Sequence, residues 1–134
     1  MKRTRSMGLS RSVWFVGIAL TCSALTLAQQ RSVATRGDLS GIPNREGVVL
    51  NVQLSAGVTS PKHFHPGDEF IHVLEGTVVV AIEGRPEVTL TTGQTIHIPA
   101  GAVHTGRNPS STIAAKVMTF GVFEKGKPDM TVVQ

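Results

Sequence analysis

Beyond residue 47 the chain alternates between short apolar runs and turn-forming residues. The runs are rich in Val, Ile, Thr and Phe, and Gly or Pro separates them. Short runs of this composition, bounded in this way, are typical of strands in a β-sandwich or barrel. No segment after residue 28 shows the apolar stripe of an amphipathic helix. The pattern predicts an all-β fold with strands at 48–54, 62–65, 69–74, 77–82, 87–91, 94–98, 104–107 and 112–123.

Two polar segments flank this region. Residues 31–35 fit an edge strand, although the stretch from Gln29 to Arg45 has only weak periodicity. Residues 125–129, Lys-Gly-Lys-Pro-Asp, fit a polar turn or tail.

The first 28 residues have the composition of a secretory signal. They contain no acidic residue, and their basic residues Lys2, Arg3, Arg5 and Arg11 all precede Val13. The apolar run from Val13 to Ala28 is shorter than the roughly 20 residues that a membrane-spanning helix needs. We therefore predict a signal peptide at 1–28 and a periplasmic or secreted mature chain that is not held in a membrane. An uncleaved N-terminal anchor is the alternative.

The net charge of +4 belongs to this N-terminal segment. Residues 29–134 contain nine Lys or Arg and nine Asp or Glu, so they are neutral overall. No basic block could neutralise successive phosphates, so we expect no nucleic-acid partner. The length suits a single domain at 29–134. Cys22 is the only cysteine and lies in the predicted signal, so the mature chain has no disulfide and no cysteine nucleophile.

Four residues have the types and spacing of metal ligands. His63, His65 and Glu69 occur in one short run, and His104 follows 35 residues after Glu69. Residues two apart on a strand project from the same face, so the rings of His63 and His65 could share one ion. Imidazole and carboxylate donors suit a divalent metal such as Fe, Mn, Ni, Cu or Zn. The pattern predicts one such ion per chain.

Other polar residues near this run are weaker candidates. His72 lies three residues from Glu69, so strand alternation predicts that it faces away from the site and has a structural role. Asp68 is expected in a loop. His97 either lines the pocket or fills the barrel wall, and the sequence leaves both open. Arg107 is expected at the surface, with a role in holding an anionic substrate as the alternative.

Four phenylalanines are expected in the core rather than as a platform for substrate. They are Phe64, Phe70, Phe120 and Phe123.

The chain resembles the cupins, small β-barrel proteins with two signature motifs. The first motif reads Gly57-(5)-His63-Phe64-His65-(3)-Glu69-(6)-Gly76 here. The second reads Gly93-(5)-Pro99-Ala100-Gly101-(2)-His104-(3)-Asn108. The resemblance covers about residues 45–123. It implies a single jelly-roll barrel, also called a double-stranded β-helix, whose three His and one Glu bind a divalent metal.

The cupin fold alone does not identify an activity, because it hosts enzymes and binding proteins alike. The absence of Tyr argues against a cupin-type sugar epimerase, and Glu69 argues against a thiol dioxygenase with three His ligands. The length leaves no room for a second barrel. The leading hypothesis is a metal-dependent, dioxygenase-like oxidoreductase that acts on a small organic molecule, with Glu69 as ligand and catalytic base. A non-catalytic module that binds metal or a small ligand is the alternative.

A homodimer is expected. Many short strands leave sheet edges that invite pairing, and the polar N-terminal stretch could supply a strand to a second copy. Cupins commonly associate in this way.

Overall fold

The computed structural model describes residues 29–134, so the predicted signal peptide lies outside the described residues. The described chain is built from ten β-strands and contains no helix. Their bounds are β1 Gln29–Asp38, β2 Arg45–Leu54, β3 His63–Phe64, β4 Gly67–Glu75, β5 Thr77–Ile82, β6 Val88–Thr91, β7 Thr95–Ile98, β8 His104–Arg107, β9 Ala115–Glu124 and β10 Thr131–Val132.

The strands form two five-stranded sheets. The order is β1-β2-β9-β4-β7 in the first sheet and β10-β3-β8-β5-β6 in the second. Every pairing between neighbouring strands is antiparallel. Consecutive strands β4 and β5 lie in different sheets, as expected for a jelly-roll in which the chain crosses between two facing layers. The prediction of an all-β jelly-roll barrel is confirmed.

The core lies between the two sheets and follows the alternation of each strand. In β2, Val48, Leu50, Val52 and Leu54 are buried, and the residues between them are partly or fully exposed. The same alternation in β4 turns Glu69, Ile71 and Val73 inward. This inward-facing row of β4 is apolar apart from the Glu69 carboxylate, which indicates a polar site in the interior.

The sequence predicts most strands correctly and misses features at both ends. β1 runs through ten residues instead of five and pairs along its length with β2 of the same chain, with a register shift between Val33 and Thr35. β10 is missed, because a two-residue strand in a polar tail has no periodicity to detect. The prediction of a polar turn before it is correct for Lys125 and Gly126.

Of the four phenylalanines that were expected in the core, only one is fully buried. Phe123 is 1% exposed, and Phe64 is half-buried. Phe70 and Phe120 are exposed on the outer face of the first sheet, where their rings stack 6.5 Å apart. The prediction is wrong for these two, because strand alternation that turns Glu69 inward must turn Phe70 outward, and Phe120 is its cross-strand partner.

Within residues 29–134, no helix is long and apolar enough to cross a membrane.

Candidate metal centre

Both sheets contribute to one cluster of polar side chains in the interior. His63 on β3 is the cross-strand partner of His104 on β8, so these two rings lie side by side in the second sheet. His65 directly follows β3, and Glu69 projects inward from β4 in the first sheet. All four side chains are buried, with exposures of 7%, 2%, 4% and 2% for His63, His65, Glu69 and His104. The fold thus brings together the four residues that the sequence singles out.

The three histidines point their free ring nitrogens at a common space. One ligand atom from each ring lies within 4.8 Å of the others, and the ring centroids are 4.3–5.2 Å apart. Each Nδ1–H donates to a main-chain carbonyl: His63 to Pro61 at 2.7 Å, His65 to Asp129 at 2.5 Å and His104 to Ala102 at 3.0 Å. A carbonyl can only accept, so Nδ1 carries the proton and the Nε2 lone pair of a neutral ring is free. This is the usual orientation of imidazoles that bind a metal.

Glu69 completes the cluster from the opposite sheet. Its Oε2 lies 3.2 Å from His65 Nε2 and 3.4 Å from His104 Nε2. Burial by itself would raise the pKa of Glu69, but the contacts with His104 and His65 outweigh burial and hold the pKa below its usual range. The carboxylate is therefore ionised at neutral pH and supplies the negative charge of the site.

His63 is held in the neutral form. Burial lowers its pKa to about 4, and the hydrogen bond to the Pro61 carbonyl only partly offsets this effect. Neighbouring His104 and His65 lower the pKa further, since their positive forms would repel a protonated His63. A neutral imidazole at neutral pH is the form that binds a metal ion.

The donor set fits a divalent metal ion. Ligand atoms about 2.0–2.2 Å from a shared ion lie about 3.0–3.4 Å from one another at tetrahedral or octahedral angles. The two contacts of Glu69 Oε2 match this spacing. His65 Nε2 is buried without a hydrogen-bond partner, an arrangement that is costly unless the lone pair binds something. Three imidazoles and one carboxylate would hold the ion. His63 is included because its ligand atom lies within 4.8 Å of those of His65 and His104.

A cavity of about 50 Å³ adjoins the cluster. His63, Glu69 and His104 lie on its wall. Apolar side chains from both sheets form most of the remaining wall, among them Val52, Ile71, Val78 and Val117. Gln29 and Arg31 of β1 contribute polar side chains.

Two glycines near the site have a local reason, which is close packing at Gly121 and a positive φ at Gly101. Gly121 is the cross-strand partner of Glu69, and a Cβ there would lie 2.1 Å from the ring of Phe123. That ring stacks on His65, with centroids 5.3 Å apart and planes 8° from parallel. In the second motif, Gly101 has a positive φ of 72° and donates its N–H to the His65 carbonyl. These contacts fix the position of His65 from two sides.

Two of the weaker candidates lie outside the site. His97 is exposed on the outer face of β7, where it stacks on Phe70 and donates to Asp68 at 2.7 Å. Neither expected position for His97, in the pocket lining or the barrel wall, is correct. Asp68 is part of β4 and not of a loop.

The other two candidates lie where the sequence places them. His72 is confirmed on the opposite face from Glu69 and hydrogen-bonds with Thr95 Oγ1 at 2.8 Å. Arg107 is a half-exposed surface residue 3.9 Å from Glu87.

Asn108 is a structural residue whose importance the sequence indicates only through its motif. Its side chain is 1% exposed, and Nδ2 donates to the carbonyls of Leu54, Ser55 and Ile113 at 2.8–3.2 Å. Its Oδ1 accepts from Ser110 N. Asn108 therefore joins the end of β2 to the loop before β9.

The sequence profile of the cupin domain family matches residues 50–121, more than half of the chain. This match includes all four residues of the cluster. The chain belongs to the cupin family. No curated protein sequence matches this cupin.

Solved structures share the cupin fold at low sequence identity. A cupin-like protein from Thermotoga maritima is 19% identical over 78% of this chain and 75% of its own, with a TM-score of 0.63. The DMSP lyase DddQ from Ruegeria pomeroyi DSS-3 is 22% identical over 65% of this chain, with a TM-score of 0.57. An oxalate oxidase in complex with the substrate analogue glycolate is 27% identical over 65% of this chain, with a TM-score of 0.55.

This cupin is shorter than the two enzymes. It spans 43% of the length of the DMSP lyase and 46% of the length of the oxalate oxidase.

Proposed function

We propose that this cupin is a metal-dependent enzyme that oxidises a small organic molecule with O₂. The observation that carries the proposal is the orientation of the three histidines. Main-chain carbonyls hold every Nδ1–H, so that three Nε2 atoms and the Glu69 carboxylate converge beside a cavity. A redox-active ion in this site would supply an electron pathway between O₂ and the substrate. Structural similarity to enzymes such as oxalate oxidase and DMSP lyase supports catalysis over a purely structural site.

The side chains of this site have different roles in the proposed reaction. The histidines hold the ion, and the apolar wall keeps bulk water from the reacting atoms. Glu69 has two roles, because a carboxylate that binds through one oxygen can accept a proton from substrate at the other. Its lowered pKa keeps it ionised at neutral pH, which is the form that binds a metal ion.

The first experiment measures metal and O₂ uptake on untagged protein. We expect one divalent ion per chain by elemental analysis. We expect the iron, manganese, nickel or copper form to consume O₂ with an enediol, phenolic or carboxylate substrate. Zinc substitution should abolish uptake, since zinc has no accessible redox change. Metal-loaded protein that consumes no O₂ with any of these ions and substrates would contradict the proposal.

Glu69→Gln tests the double role of the carboxylate. Glutamine keeps a donor oxygen and removes the charge and the base, so turnover should fall about 100-fold, within the usual range for loss of a general base. Metal content should fall much less. Parallel measurement of turnover and bound metal separates the two effects. Equal loss of both would show that Glu69 acts as a ligand alone.

A non-catalytic binding module is the second candidate. It is favoured by the composition of the cavity wall, where Glu69, His63 and His104 are the only titratable acid–base groups among the described lining residues apart from Arg31. This candidate predicts saturable binding of a small ligand with no turnover for any metal. Ligand affinity would then be the same for redox-active and redox-inert ions.

We also propose that the protein is exported. The basic start, the apolar run and the Thr26-Leu27-Ala28 ending support cleavage before Gln29. Mass spectrometry of protein recovered outside the cytoplasm should give a chain that begins at Gln29. An intact Met1 in a membrane fraction would instead support the uncleaved anchor.

A further inference from the structure

Arg31 turns its side chain toward the barrel interior, where no basic residue is expected. In β1 it is the cross-strand partner of Val52, a buried core residue, so both side chains lie on the same face of the sheet. Arg31 lines the cavity that also contains His63, Glu69 and His104. It precedes residues 50–121 that match the cupin family, so it belongs to neither signature motif.

The guanidinium of Arg31 has no anionic partner in the described chain. Its recorded hydrogen bond is to Met130 Sδ at 2.9 Å, and a thioether sulfur is a weak acceptor. Arg36 and Arg107, in contrast, each approach a carboxylate. Residues 1–28 contain no Asp or Glu, so they supply no carboxylate either. A partly buried arginine that lines a cavity, and whose guanidinium donates only to a weak sulfur acceptor, is suited to bind an anion from outside the chain.

The rest of the cavity favours a small anion with an apolar part. A volume of about 50 Å³ accommodates only a few non-hydrogen atoms. Most of the wall is apolar, which suits a short hydrocarbon chain. Thr119 Oγ1 is buried on this wall and has no hydrogen-bond partner. An unsatisfied buried hydroxyl is costly, and a polar group on the ligand would satisfy it.

We propose that Arg31 binds the carboxylate of a small aliphatic acid in this cavity. The acid is small, in keeping with the small volume of the cavity. The Thr119 hydroxyl hydrogen-bonds a second polar group on the same molecule. This inference rests on the proposed function for the identity of the site, and it narrows the substrate from small organic molecules to small carboxylates.

The experiment is calorimetric titration of zinc-loaded protein with glycolate and with its neutral amide, glycolamide. Zinc is redox-inert, so the titration measures binding without turnover. Wild-type protein should bind glycolate at least tenfold more tightly than glycolamide. Arg31→Gln should lower glycolate affinity at least tenfold and leave glycolamide affinity unchanged, because only the carboxylate uses the guanidinium. Arg31→Lys should give an intermediate loss, because lysine keeps the charge without the two-pronged geometry.

Arg107→Gln is the matched control, since Arg107 is a half-exposed arginine of β8 that does not line this cavity. It should bind glycolate like wild type. Thr119→Val should lower affinity a few-fold while the protein still unfolds cooperatively. Glycolate affinity that is unaffected by Arg31→Gln, or that falls with Arg107→Gln, would overturn the inference.

Failure of the inference and failure of the proposed function give different results. If O₂-dependent turnover occurs but Arg31→Gln leaves glycolate binding intact, the function stands and the carboxylate site does not. If the protein binds no metal, glycolate is titrated into the metal-free form. Binding that Arg31→Gln weakens then supports the carboxylate site, and absence of binding overturns it.

Discussion

Each histidine of the cluster donates its Nδ1–H to a backbone carbonyl and not to another side chain. The carbonyls belong to Pro61, Ala102 and Asp129, which lie in three separate segments of the chain. This arrangement places the tautomer of each ring under control of the backbone fold. We therefore expect metal binding to depend on the imidazoles themselves.

Single alanine substitutions should distinguish metal ligands from residues that do not bind the metal. His65→Ala and His104→Ala should each lose most of the bound metal, because each removes one of four converging donors. His72→Ala is the control, since His72 lies on the opposite face of β4 and hydrogen-bonds Thr95. Elemental analysis of the purified variants measures the effect. Comparable metal loss in His72→Ala would contradict the assignment of strand faces.

The titration of His63 predicts how stability depends on pH. Its folded-state pKa is lowered from 6.5 to about 4, so the folded chain disfavours the protonated ring. The contribution of neutral His63 to the free energy of unfolding is therefore fully present above pH 6.5. It is lost as the pH falls from 6.5 toward 4. Ionised Glu69 also contributes to the free energy of unfolding, because its folded-state pKa is lowered. This contribution is lost at still lower pH.

Urea unfolding of metal-free protein at pH 7 and pH 4.5 measures this dependence. The unfolding free energy should fall by roughly 2–3 kcal/mol between the two values, with His63 as a main contributor. In His63→Gln the same change of pH should have a smaller effect, because glutamine does not titrate. Metal-free wild-type protein that is more stable at pH 4.5 than at pH 7 would contradict the sign of this prediction.

At the level of elements, the C-terminal segment completes the candidate metal centre. Asp129 accepts from His65 through its carbonyl and pairs with Arg36 through its side chain. Thr131 and Val132 then form β10 against β3, the strand that carries His63. The segment thus ties β1, β3 and His65 together, although it lies beyond the family match at residue 121.

Deletion of residues 129–134 should therefore weaken metal binding while leaving the four donors in place. Loss of the carbonyl that fixes the His65 tautomer should lower metal affinity by about 10–100-fold, the usual range for such outer contacts. Deletion of Gln134 alone is the control and should bind metal normally. Competition with a chelator measures both affinities. Unchanged affinity in the longer deletion would show that His65 is oriented without Asp129.

The sequence predicts those elements whose determinants are local. Strand alternation correctly places Glu69 inward and His72 outward, because the side-chain direction of a strand is fixed by counting. The motif spacing identifies the four clustered residues, since turns with positive φ at Gly57, Gly76 and Gly93 set the register.

Features that depend on contacts between distant segments escape prediction. The hydrogen bond from His65 to Asp129 spans 64 residues, and the place of Arg31 in the cavity depends on the register of β1 against β2. His97 illustrates the same limit. Its partners Asp68 and Phe70 lie on a neighbouring strand, so no local pattern reveals the pairing.

At the level of the whole molecule, the two faces of the first sheet differ in role. The inner face forms the core and carries Glu69. The outer face exposes a group of apolar side chains on β4 and β9: Phe70, Leu74, Met118 and Phe120. Adjacent exposed apolar residues of this kind mark association surfaces more often than scattered single ones. Meanwhile β1 pairs with β2 of its own chain, so association does not require a strand supplied in trans.

The homodimer therefore remains our prediction, with the outer face of the first sheet as its interface. Two copies of one apolar face can bury each other in a two-fold symmetric contact. Light scattering at micromolar concentration should give twice the chain mass. Phe120→Glu should give a monomer, because a buried like-charge pair across the two-fold axis is costly. Val88→Glu is the control, since Val88 is an equally exposed apolar residue on β6 of the other sheet. A monomeric wild type would contradict the dimer, and a dimeric Phe120→Glu variant would place the interface elsewhere on the molecule.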